Sequence, residues 1–94
     1  LAEELFDSAS AKEHFNAGLD LYFKKDYMDA IKEFEAATQF DPDNANAYYF
    51  MGYSYYKLKD MEKAMMVFQQ AYDTDAKYTP IRNVPPEGPA AGQE

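Results

Sequence analysis

Residues 18–41 read GLDLYFKKDYMDAIKEFEAATQFD, and residues 52–75 read GYSYYKLKDMEKAMMVFQQAYDTD. Laid over one another, they align Gly18 with Gly52, Asp26 with Asp60, Ala30 with Ala64, Phe34 with Phe68, Ala37 with Ala71 and Asp41 with Asp75. The step is thirty-four residues each time, the length of a helix–turn–helix unit stacked on a copy of itself. The glycines sharpen the reading. Each sits inside a helical pattern, where it costs about 1 kcal/mol relative to alanine. Two such losses at one phase need a packing reason. A missing Cβ lets a facing helix approach, with Ala30 and Ala64 as the small partners. Leu21 with Phe34, and Tyr55 with Phe68, then fill the space beside the crossing.

Outward from this core, Ser10-Ala-Lys-Glu13 reads as a capping box opening a helix that runs to about Lys24. Lys25-Asp26 make a turn, and a second helix runs from Tyr27 to Phe40 with Ala30, Ile31, Phe34 and Ala37 inward. Asp41-Pro42-Asp43-Asn44 stops it, since proline cannot continue a helix and Asp and Asn suit turns. The cycle restarts with a helix from Ala45 to Leu58, a turn at Lys59-Asp60 and a helix from Met61 to about Thr74. Residues 1–9 form a short amphipathic lead-in. Residues 79–94 carry Pro80, Pro85, Pro86 and Pro89 with Gly88 and Gly92 and no apolar period, the signature of an extended or disordered tail. The expected organisation is a lead-in at 1–9, a two-repeat domain at 10–78 divided into 10–44 and 45–78, and a tail at 79–94.

The chain of 94 residues has 17 Asp and Glu against 9 Lys and Arg, a net charge of −8. Residues 1–44 hold eleven acids and four lysines, whereas residues 45–78 hold four of each. Binding to nucleic acid or anionic lipid runs on Lys and Arg displacing counterions, so neither nucleic acid nor a membrane surface is an expected partner. The excess of acid serves solubility and a solvated outer face. Without cysteine there is no disulfide frame, thiolate nucleophile or sulfur metal site, and the compartment stays open, with the cytoplasm as the default. No apolar run approaches the length of a spanning helix. The start at Leu1 rather than Met leads to the expectation of a processed or excised piece.

Gly18, Leu21, Ala30, Phe34, Ala37 and Pro42, followed by Tyr48, Gly52, Tyr55, Ala64, Phe68 and Ala71, form a pattern that resembles the tetratricopeptide repeat. The resemblance covers residues 11–78, two whole repeats. It implies an all-α fold, a right-handed α-solenoid of two helix–turn–helix repeats, here with an extended C-terminal tail. Three departures stand out. His14 occupies the place of a bulky aromatic, Met51 replaces leucine, and Ala76 replaces the closing proline, so the last helix is expected to run on or fray. Members of this family mostly act as scaffolds that hold a peptide segment in a concave groove or assemble with copies of themselves.

The same resemblance places Lys12, Phe15, Leu19, Tyr22 and Phe23, then Asn46, Tyr49, Phe50, Tyr53, Tyr56 and Lys57, on or near the concave face. Tyr49, Tyr53 and Tyr56 follow i, i+4, i+7 spacing and form one stripe. Tyrosine offers a large apolar face, a hydroxyl and little rotamer entropy to lose, which suits a gripping surface. The plainer reading is that some of these rings pack against the neighbouring repeat, and for Phe15 and Phe50 both readings stand. The expected peptide-binding set is Phe15, Leu19, Tyr22, Tyr49, Tyr53 and Tyr56, taking a short apolar or extended segment of a protein partner. Family members that clamp the carboxylate tail of heat-shock chaperones use Lys and Asn where this chain has Phe15, Leu19 and Phe50, so that role is not expected. The groove is more similar to those of bacterial secretion chaperones.

A second function is assembly. Met61, Met65, Met66, Phe68 and Tyr72 have no following helix to cover them all, which favours a homo-oligomer, tail docking or contact with missing sequence. The tail, with Ile81 and Val84 as candidate anchors, is suited to lie in the aromatic groove of its own or a neighbouring copy. Chemistry has little to stand on. His14 is the one histidine and occupies a packing position, and Asp41 to Asn46 lacks the glycine and closing glutamate of a calcium loop. Glu33 and Glu35 lie on an exposed helix face. No phosphate loop and no nucleophile–base set is present, so neither an enzyme nor a cofactor is expected.

Overall fold

A computed structural model describes residues 8–77, which form four helices: α1 (Ser8–Phe23), α2 (Tyr27–Phe40), α3 (Ala45–Lys57) and α4 (Met61–Thr74). α1 packs on α2 and α3 on α4 as two hairpins, while α2 against α3 joins them; α1 and α3 meet only sparsely. This is a helical repeat solenoid of two units, as the thirty-four-residue step requires. A single core runs through both units, built from Tyr22, Ala30, Ile31 and Phe34 with Met51, Tyr53, Ala64 and Phe68. The tail expected at 79–94 and most of the lead-in at 1–9 lie outside the described residues.

Each of the two helical glycines, Gly18 and Gly52, is roofed by a ring. A Cβ on Gly18 would stand 2.6 Å from the Phe34 ring, and one on Gly52 2.5 Å from the Phe68 ring. The glycines therefore make room for the buried phenylalanines themselves. The expectation that Phe34 and Phe68 fill space beside the crossing is corrected: they occupy it. Ala30 and Ala64 are buried nearby and admit the rest of the contact.

The turns inside the repeats close in the same way. Lys25 N–H donates to the Tyr22 carbonyl at 2.9 Å and Asp26 N–H to that of Leu21 at 2.8 Å; Lys59 and Asp60 repeat the pair with Tyr56 and Tyr55, both at 2.9 Å. These are Schellman closures, and they put Lys25 and Lys59 at φ 68°, where glycine is the usual occupant. Asp60 then caps α4 by accepting from the Lys63 N–H at 3.2 Å, and Asn44 caps α3 by accepting from Ala47 N–H at 3.1 Å.

One expected end moves and another holds. α1 already includes Ser8, so Ser10 sits within the helix and is not its cap; the alanines flanking it at 9 and 11 are the best helix formers and carry the turn past it. α4 stops at Thr74 without the closing proline. Asp75 accepts from Lys77 N–H at 3.2 Å as Asp41 accepts from Asp43 N–H at 3.1 Å, so a side-chain turn ends both second helices.

Candidate peptide-binding groove

α1 and α3 meet only sparsely, and the side they share, the candidate groove, is lined by aromatic rings from both helices. Phe15, Leu19 and Tyr22 stand thirty-four residues before Tyr49, Tyr53 and Tyr56, so the two helices present the same three positions twice. The surroundings differ. Phe15, Leu19, Tyr49 and Tyr56 are partly buried and keep some surface toward solvent. Tyr22 is 3% exposed and Tyr53 1%. The tyrosine stripe is accordingly corrected: it is two flanking rings around a buried one. Tyr53 turns its ring edge-on to Phe68 at 5.3 Å and to Tyr49 at 4.8 Å, and the Tyr49 and Tyr53 hydroxyls are 2.9 Å apart. Lys12, Phe23 and Asn46 are exposed beside the groove, and Lys57 partly so.

Phe50 holds the floor together. Its ring meets Phe15 at 6.2 Å, Tyr22 at 5.6 Å, Phe34 at 6.1 Å and Tyr49 at 5.9 Å, spanning both repeats. Of the two readings open for Phe50, packing against the neighbouring repeat describes it. A signal lay in the comparison of repeats, since the same position in α1 is Asn16, which is exposed. Tyr22 is closed in on another side by Tyr27, ring centres 5.5 Å apart, a contact the spacing of α1 alone does not reveal.

Burial pushes the Tyr53 phenol far above the usual range, and the Tyr49 hydroxyl adds to it. Tyr48 is raised by burial and then by Asp43, and Tyr55 by burial and then by Glu35 and Asp60. At neutral pH these three phenols carry no charge. His14 is less enclosed than a core residue. Its ring stacks on Phe40 at 5.7 Å and its Nδ1 lies 2.7 Å from a Glu33 carboxylate oxygen, so Glu33 also has a structural task. Among the described residues no three His, Asp or Glu side chains converge as a metal site would need, and no helix is long and apolar enough to cross a membrane. A depression of about 430 Å³ lined by Asp43, Met66, Gln69, Gln70, Asp73 and Thr74 lies along α4, apart from the ring-floored groove.

A family model described as a TPR repeat matches residues 18–59, and one described as a tetratricopeptide repeat matches residues 45–78, the whole α3–α4 hairpin. No curated protein matches the sequence.

Proposed function

The chain belongs to the tetratricopeptide repeat family, whose repeats generally mediate contacts between proteins, and on that premise we propose that its α1–α3 groove holds a short apolar or extended peptide. The module is non-catalytic in this reading and serves as a scaffold or chaperone-like adaptor. The observation that carries it is the pairing of partly exposed Phe15, Leu19, Tyr49 and Tyr56 with a rigid backing of buried Tyr22 and Tyr53. Rings already held by their neighbours lose little freedom when a ligand arrives, so more of the contact energy appears as affinity. Fully desolvating one aromatic ring contributes roughly 1.5–3 kcal/mol, so two or three would suffice for micromolar binding.

Tyr53 is the wrong residue to truncate in a test, because removing a buried ring leaves a cavity. Tyr56 is the better probe. Peptides selected from a random display library should be rich in apolar and aromatic residues. Their affinity, read by fluorescence anisotropy, should fall roughly tenfold or more in Tyr56→Ala, with the melting temperature nearly unchanged. A library that yields no enriched peptides, or binders indifferent to both Tyr56→Ala and Phe15→Ala, would refute the groove.

A further inference from the structure

The outer side of α4 repeats a side that is covered elsewhere in the molecule. Ile31 and Thr38 of α2 stand thirty-four residues before Met65 and Tyr72. On α2, Ile31 is buried in the core cluster with Met51 of α3, and Thr38 is partly buried. On α4, Met61, Met65, Met66 and Tyr72 are between 41% and 66% exposed. Phe68, expected to share that fate, is buried under Gly52 and Tyr53.

The opposite end of the stack is finished differently. α3 turns Phe50 toward the first repeat and buries Ala47 and Ser54, whereas the matching positions of α1, Asn16, Glu13 and Asp20, are all exposed. A second copy stacked head to tail would press those carboxylates onto methionine, and burying unpaired charge costs several kcal/mol.

One arrangement meets all of this. We infer that the exposed edge of α4 formed by Met61, Met65 and Tyr72 seats the same edge of a second copy, the two α4 helices antiparallel about a two-fold axis between Met65 and Tyr72. Such a contact is self-complementary and closes on itself. It brings Met61 of one copy against Tyr72 of the other, a thioether on a ring. Charge agrees, because residues 45–78 balance four acids with four lysines while the excess lies in residues 1–44. The acidic repeats then point away from each other. Met61, Met65 and Tyr72 are each between 41% and 46% exposed, a small contact that belongs at the weak end of protein interfaces.

Sedimentation equilibrium of the 94-residue chain over a wide concentration range tests this. The expected result is a limiting mass of twice 10.8 kDa. Met65→Glu and Tyr72→Glu should each raise the dissociation constant roughly tenfold or more at unchanged helicity. Met28→Glu, at a more exposed methionine on α2, should leave it alone. Peroxide should oxidise Met61 and Met65 more slowly as concentration rises, and Met28 at a constant rate. A monomer at every concentration, a dimer indifferent to both α4 variants, or an open-ended series of oligomers would overturn the inference.

Discussion

Gly52 is the residue at which two local rules collide. Helix propensity favours alanine there by about 1 kcal/mol, yet an added Cβ would lie 2.5 Å from the ring of Phe68, itself fully buried and unable to retreat. Forcing atoms into a packed site costs about 1–3 kcal/mol, and steric exclusion should win. Gly52→Ala is expected to lower unfolding free energy by about 1–2 kcal/mol in urea melts. Adding Phe68→Leu should return part of the loss, a non-additivity that locates the clash. Tyr53 makes a second residue-scale prediction. Its phenol holds its proton more tightly in the folded protein than in the unfolded chain, where tyrosine ionises near 10. Below about pH 10 both states are protonated and the stabilisation is fully present. Above it the unfolded chain alone releases the proton, so stability falls by about 1.4 kcal/mol per pH unit for this group. Tyr53→Phe should remove about one proton from the alkaline slope, measured by urea melts at stepped pH.

At the scale of the element, the helix ends determine where the hairpins turn. Both intra-repeat turns place a lysine in the left-handed region, at Lys25 and Lys59. A side chain there costs about 1 kcal/mol, which exceeds the extra chain entropy glycine brings to the unfolded state. Lys59→Gly is therefore expected to stabilise by about 0.5 kcal/mol, visible as a small rise in the urea midpoint. A loss of stability would mean that the Lys59 side chain contributes more than its backbone costs. The inter-repeat turn teaches a related lesson. Pro42 has no counterpart at Ala76, yet α4 ends at the matching residue, because an aspartate side chain accepting a backbone N–H terminates the helix in both repeats.

Across the whole molecule, the two hairpins behave as one body because Phe50 ties them. Its ring touches α1, α2 and its own helix, and the core cluster crosses the repeat boundary. Phe50→Ala should cost about 3 kcal/mol. It should also separate the unfolding of the repeats, lowering the urea m-value as two-state behaviour is lost. An unchanged m-value with full loss of stability would show that α2–α3 packing alone couples them.

The sequence by itself determined the two-repeat architecture, the bounds of α2 and α4, the inward alanines and phenylalanines, and the aromatic character of the α1–α3 side. These are properties of spacing and turn chemistry, which act over a few residues and survive without knowledge of neighbours. Which rings face outward was decided only by tertiary structure. Tyr22 and Tyr56 occupy the same place in the repeat, yet Tyr22 is buried and Tyr56 is not. Tyr22 has Phe50 of the next repeat against it, whereas no further repeat stands beside Tyr56 among the described residues. Burial belongs to the pair of surfaces that meet, and one helix's periodicity describes only its own.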